Sequence, residues 1–125
     1  MKIQESAENY LETVLILMER NGQVRSIDIA NELGFSKPSV SIAMKQLREN
    51  GYVTVDAEGF LFLTDRGREI ADRMYERHRV LTKCLVALGV PDDIAQADAC
   101  KLEHDLSPES FDALRRHYDS RTGKK

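Results

Sequence analysis

Cys100, Glu103 and His104 stand three and four residues apart in the run Cys100-Lys-Leu-Glu-His104. On a helix, positions i, i+3 and i+4 share one face, so a thiol, a carboxylate and an imidazole would converge there. That donor set suits a divalent transition metal, one softer than calcium or magnesium requires. Two further polar groups, Glu12 and His78, lie on otherwise apolar-patterned helices and can add to such a site. Each group also has an ordinary role to weigh. Glu12 falls off its helix's apolar stripe, where a glutamate is commonly solvated. His78 occupies a heptad-like position, where a hydrogen-bonded core histidine is the common case. Cys100 can be a small buried hydrophobe, which is the better account of Cys84. Asn9, three residues before Glu12, offers only a neutral amide oxygen, a poor donor to a transition metal. His117 reads as surface.

A second set of residues points to nucleic acid. If the chain from Ser36 to Asn50-Gly51 forms a helix buried along Val40, Ala43, Met44 and Leu47, its opposite face carries Pro38, Ser39, Ser41, Ile42, Lys45, Gln46 and Glu49. Lys45, with Lys37 and Arg48 nearer the edges, can meet phosphates. Ser39, Ser41 and Gln46 can hydrogen-bond base edges or backbone, and Pro38 and Ile42 offer apolar contact to thymine methyls. Catalytic chemistry is poorly supported. There is no glycine-rich phosphate loop, no His-Glu-x-x-His and no Cys-x-x-Cys, and nothing marks a nucleophile paired with a base.

The elements that must position these groups are legible in the periodicity. Ala7, Tyr10, Leu11, Val14, Leu15 and Met18 follow a helical stripe closed by Gly22, with Ser6 as the expected N-cap. Ser26 is expected to cap a helix over 27–33 that leaves through Gly34. Ser36 then caps a second helix with Pro38 in its first turn. Helix, short glycine-containing turn, helix is the helix-turn-helix pattern. Tyr52–Val55 and Phe60–Leu63 are β-rich runs around Asp56-Ala-Glu-Gly59, a hairpin in the place of a wing. From Thr64 the helical period returns. Ala71, Met74, His78, Leu81, Leu85 and Leu88 form a stripe long enough to pack along another helix. Ile94–Leu106 is expected as the next helix, and Ser107-Pro108-Glu109 opens a last one with the stripe Phe111, Leu114, Tyr118. The fold class is therefore mainly α, a winged helix-turn-helix over 1–63 followed by a helical dimerisation lobe over 64–119. Residues 120–125 are expected to be a disordered tail.

Composition fits that plan. At 125 residues, 42% hydrophobic and 31% charged, the chain can form one soluble unit or two small lobes. No apolar run is long enough to span a membrane and the start lacks an apolar leader, so a cytoplasmic protein with reduced thiols is expected. The net charge of −3 is unevenly spread. Residues 20–50 carry Arg20, Arg25, Lys37, Lys45 and Arg48 against Asp28, Glu32 and Glu49. Residues 92–112 carry Asp92, Asp93, Asp98, Glu103, Asp105, Glu109 and Asp112 against Lys101 alone. A phosphate partner at one end and a cation at the other follow from this asymmetry.

With these residues in place, the chain resembles the diphtheria-toxin-repressor family of metal-dependent regulators, especially its short manganese-transport-regulator branch. The resemblance runs from about Glu8 to Leu114. It rests on Asn9-Tyr-Leu-Glu12, Val24-Arg-Ser-Ile-Asp-Ile-Ala-Asn-Glu-Leu33, Ser36-Lys-Pro-Ser-Val40, Leu63-Thr-Asp-Arg-Gly67, Arg77-His-Arg79 and Cys100-Lys-Leu-Glu-His104. It implies metal ligands at Glu12, His78, Cys100, Glu103 and His104, with Asn9 as a sixth. It implies contacts to double-stranded operator DNA through Ser36, Lys37, Pro38, Ser39, Ser41, Ile42, Lys45 and Gln46. Two positions depart from the pattern. Manganese regulators of the family hold Asp at the position of Asn9 and Glu at that of Cys100, whereas iron regulators hold Met and Cys. Thr82 and Gln96 stand where the iron branch has a second site, and the SH3-like domain of longer members is not expected. Ile42 replaces a polar base-contacting residue of the iron branch. The expected function is a homodimeric repressor of metal-uptake genes, activated by Fe(II) or Mn(II), with iron favoured by the soft thiol of Cys100. Its rivals are a winged-helix regulator that senses no metal, and a metal-binding dimer that buffers or delivers metal.

Overall fold

The computed structural model describes residues 5–122, which fall into two compact units divided between Arg73 and Met74. The first unit contains α1 (Glu5–Asn21), α2 (Ser26–Leu33), α3 (Lys37–Glu49), β1 (Val53–Val55) and β2 (Leu61–Leu63), and takes in the start of α4 (Asp65–Ala87). Its core is the expected set of stripes: Leu11, Val14 and Leu15 from α1, Ile29 from α2, Val40, Met44 and Leu47 from α3, and Val53 and Leu61 from the hairpin. Helix α1 packs on α2 and β2, α2 on α3, and α3 on β1.

The helix ends show which local rules operate. Gly34 takes the left-handed conformation, φ +72°, and its amide returns to the Ala30 carbonyl at 2.9 Å. Ser36 caps α3 as expected, its hydroxyl accepting from the Ser39 amide at 3.3 Å. Two expected caps are corrected. Ser6 lies inside α1, which already includes Glu5. Ser26 is the first helical residue of α2; Arg25 is the cap, and Asp28 Oδ2 accepts from its amide at 2.9 Å. The carboxylate three residues in therefore reaches back to the amide of the cap residue, the reverse of the bond expected of the serine.

The wing is a two-stranded antiparallel ribbon with Val53 opposite Leu63, Thr54 opposite Phe62 and Val55 opposite Leu61. Tyr52 and Phe60 fall just outside the strands. Asp56 Oδ1 closes the turn by accepting from the Glu58 and Phe60 amides, each at 2.9 Å. Where the chain enters α4, Thr64 Oγ1 donates to the Gly51 carbonyl at 2.7 Å and accepts from the Gly67 amide at 3.2 Å. A methyl group on Gly67 would overlap the Tyr52 carbonyl, so only glycine allows the backbones this close.

The second unit holds the rest of α4, α5 (Asp92–Leu102) and α6 (Pro108–Thr122). Met74, Leu81, Ala95, Ala99 and Phe111 are buried here. Ser107 caps α6 by accepting from the Ser110 amide at 3.1 Å. Three expectations change. Helix α5 stops at Leu102 rather than Leu106, leaving 103–106 as a turn. The α4 stripe is only partly core: Ala71, Met74 and Leu81 are buried, while Leu88 is 81% exposed. Helix α6 continues through Thr122, into the stretch expected to be disordered; residues 123–125 of that stretch lie outside the described residues. No helix among the described residues is long and apolar enough to cross a membrane.

Candidate metal centre and DNA-reading helix

Of the expected metal ligands, Asn9 and Glu12 belong to the first unit. They sit one helical turn apart on α1, with Asn9 half-buried and Glu12 buried to 4% exposure. Glu12 is thus not the solvated glutamate its place off the stripe allowed. A carboxylate at that depth is costly unless it meets a partner or a cation.

The second unit holds the other four. Glu103 is fully buried, at 0% exposure. His78, on α4, places Nδ1 2.9 Å from Glu103 Oε1. The side chain of His104 is also buried, and its Nε2 lies 3.8 Å from Glu103 Oε2. These groups do not share a continuous helix face, because Glu103 and His104 follow the end of α5. Glu103 keeps α-helical dihedrals, φ −60° and ψ −25°, so its side chain still continues the spacing of the helix it ends. Cys100, within α5, is exposed, unlike its two neighbours in the motif. Cys84 is half-buried; burial first, and the Asp119 carboxylate second, push its thiol up. Gln96 donates to Asp92 Oδ2 at 2.6 Å on an exposed face, and His117 is exposed.

The donor chemistry of 78, 103 and 104 fits a divalent cation. A buried carboxylate and an imidazole at hydrogen-bond distance offer an oxygen and a nitrogen that can turn to one ion, and a second buried imidazole stands beside the same carboxylate. Sequence reasoning overlooked Arg77, which precedes His78 and is 6% exposed. Its Nη1 donates to the Glu103 carbonyl at 3.0 Å and the Leu106 carbonyl at 2.7 Å, and its guanidinium lies 5.4 Å from the Phe111 ring centre. Its only trace in the sequence is its place in the string Arg77-His-Arg79.

In the first unit the expected DNA-contacting residues form one accessible set. Ser36, Lys37, Pro38, Ser39, Ser41, Ile42, Lys45 and Gln46 are all exposed, and Ile42 at 61% is far more open than an isoleucine needs to be. The Ser36 hydroxyl also donates to the Ser39 hydroxyl at 2.8 Å, so both are engaged at the start of α3. The wing tip is acidic, with Asp56 and Glu58 exposed.

A helix-turn-helix with an exposed polar face, a wing, and a helical unit with a buried carboxylate between imidazoles define a metal-dependent DNA-binding regulator. Comparison with known proteins agrees. The profile of the iron-dependent repressor N-terminal DNA-binding domain matches residues 2–59, and that of the iron-dependent repressor metal-binding and dimerisation domain matches residues 64–122. The transcriptional regulator MntR of Escherichia coli O6:H1 is 35% identical over 112 residues, covering 90% of this chain and 72% of the relative. The manganese regulator SloR superposes with a TM-score of 0.80 at 28% identity, over 95% of this chain and 55% of that one. A manganese-dependent transcriptional repressor in complex with manganese gives 0.82 at 30% identity, over 95% and 53%. The chain spans about half the length of those solved proteins. It belongs to the iron-dependent repressor family, whose members are transcriptional regulators and not enzymes.

Proposed function

We propose that this chain is a cytoplasmic, homodimeric repressor that binds operator DNA of metal-uptake genes when a divalent metal is bound. The observation that carries the reading is the buried Glu103 carboxylate, held 2.9 Å from His78 and flanked by the buried His104, in a unit that follows a winged helix. The ligand set we propose is Glu12, His78, Glu103 and His104, with Cys100 and Asn9 completing it. The functional modules would meet near residues 63 and 64, close to where the two family profiles divide.

A bound divalent ion supplies positive charge that several buried carboxylates can share. With Asn9 and Glu12 in the first unit and the other ligands in the second, binding would favour one arrangement of the units over others, a population shift. In a dimer that arrangement sets the spacing of two α3 helices, which must match a DNA turn of roughly 34 Å. Dimerisation is supported by the matched domain and by apolar side chains the second unit leaves in water: Val86, Leu88, Ile94, Leu102 and Leu114. On α3, Lys37 and Lys45 would meet phosphates, with Ser36, Pro38, Ser39, Ser41, Ile42 and Gln46 at backbone and base edges.

Manganese(II) is the metal we favour. The buried donors are carboxylates and imidazoles, while the thiol that argued for iron sits on an exposed position. Both similar solved structures, SloR and the repressor in complex with manganese, are described as manganese proteins. Iron(II) is the second reading, carried by Cys100. The test is apo protein titrated with manganese(II), iron(II), cobalt(II) and zinc(II) against a palindromic duplex selected from a random library. DNA binding that appears only with metal supports the proposal; equal binding in chelator points to the metal-independent rival. Cys100→Glu should leave manganese activation intact and weaken activation by iron, and an unchanged ranking of metals removes Cys100 from the set.

A further inference from the structure

We infer that Arg77 is a positioning residue for the metal centre: its buried guanidinium holds the turn from Glu103 to Leu106 in the form that presents Glu103 and His104. The inference rests on the ligand set proposed above and assigns Arg77 no bond to the ion, since a guanidinium has no free electron pair to donate.

The turn needs such a support because of where it lies. A helix leaves its last four carbonyls without intrahelical donors, and α5 ends at Leu102, one residue before the first proposed ligand of the turn. A glycine in the left-handed conformation commonly closes such an end, but Glu103 is right-handed. Arg77 supplies donors from another helix, bridging the carbonyls of Glu103 and Leu106, the two ends of the turn. Both bonds leave the one nitrogen Nη1, whose two N–H groups are fixed in the guanidinium plane and so suit two acceptors held at a set angle. Its plane is steadied by the Phe111 ring of α6, 5.4 Å away. The cation also stands at the negative end of the α5 dipole.

Arg77 and His78 are consecutive, and between them they grip both halves of one residue. Arg77 holds the Glu103 carbonyl, and His78 meets its carboxylate. A ligand fixed at backbone and side chain loses little freedom on binding an ion, which raises affinity by lowering the ordering cost. A purely electrostatic influence would act in the opposite direction, because a fixed positive charge beside the site repels the incoming cation. Removing the arginine therefore weakens metal binding if it positions and strengthens binding if it only repels.

The experiment compares the full chain with R77Q, R77K and R115Q. Arg115 is the control: it lies 5.7 Å from the same Phe111 ring, but it bonds Glu76 at 3.0 Å and Asp112 at 2.7 Å, both side chains outside the turn. Manganese(II) affinity is measured by calorimetry, cobalt(II) absorption reports coordination geometry, and apo melting reports stability. R77Q should bind manganese(II) about 10- to 100-fold more weakly, the range usual for partners that orient metal ligands, with an altered cobalt spectrum. R77K keeps the charge without the planar guanidinium and should fall between R77Q and the parent; it also serves if R77Q does not fold. R115Q should lower apo stability and leave affinity and spectrum unchanged. Parent-like affinity and spectrum in a folded R77Q or R77K, or tighter binding, overturns the inference. A parent that binds no cobalt(II), or binding that His104→Ala leaves unchanged, overturns the ligand set and this inference with it.

Discussion

The groups proposed to meet DNA in the first unit and the carboxylate and imidazole proposed to hold metal in the second lie on opposite sides of the solvent boundary. On α3 the residues from Ser36 to Gln46 proposed for DNA are exposed, while beyond α5 the carboxylate of Glu103 and the imidazole of His104 are buried. Each placement follows from its partner. A duplex is a large polyanion met at the surface, so its contacts stay hydrated until it arrives and are sensitive to salt. A metal ion at the proposed site would be held by groups already desolvated and oriented, so discrimination would depend on how firmly those groups are fixed. The face of α3 is open, while the side chains of Glu103 and His104 are shut in.

The largest expected effect separates the two directly. Saturating manganese(II) should stabilise the parent by ~2.7 kcal/mol at a hundredfold excess over Kd, read as a shift in thermal melting. His104→Ala and Glu103→Gln should abolish that shift, while Lys45→Ala should preserve it. A full metal-induced shift in His104→Ala would break the comparison, because the buried groups would then not hold the ion.

Gly67→Ala tests the frame that carries α3. The new methyl meets the Tyr52 carbonyl, a backbone atom that cannot swing aside. Overpacking of this kind should cost about 1–3 kcal/mol in urea unfolding, with a lower midpoint. Ordinary stability in Gly67→Ala would show that the entry to α4 can shift without disturbing the wing.

On the open face the effects should be smaller and of two kinds. Ile42→Ala should relax preference at one base pair, worth ~1–3 kcal/mol of discrimination and measured by competition among operator variants. Lys45→Ala should weaken binding to all sequences alike and reduce the slope of log affinity against log salt by about 0.9 for each phosphate it no longer neutralises. An unchanged salt slope would misplace the reading face.

The smallest effect contrasts the two cysteines within the second unit. Cys100 is exposed, and Cys84 is half-buried with its thiol held above the ordinary range by burial and Asp119. A raised thiol pKa leaves less thiolate at pH 8, so iodoacetamide should label Cys100 well before Cys84, as read by peptide mass. Equal rates would deny the difference in environment.

Most of the first unit could be read directly because its determinants are local. Gly34, Ser36 and Pro38 act within a few residues of themselves, and the stripe Val40, Met44, Leu47 fixes which face of α3 is left for solvent. The donor types at 78, 103 and 104 were equally plain, since chemistry is written in residue identity. Three matters lay beyond the sequence. The depth of Glu12 depends on what covers its helix, which periodicity places off the stripe. The end of α5 at Leu102 depends on whether donors exist for the carbonyls that follow, and these come from Arg77, 26 residues away from Glu103. The glycine at 67 is required by the Tyr52 carbonyl, a contact between two turns of backbone. Local propensity and hydrophobic period chose the elements and the chemical groups. Burial and the supply of hydrogen-bond partners are properties of packing between distant segments, so only the tertiary structure decided which of those groups are dry, held and ready to bind.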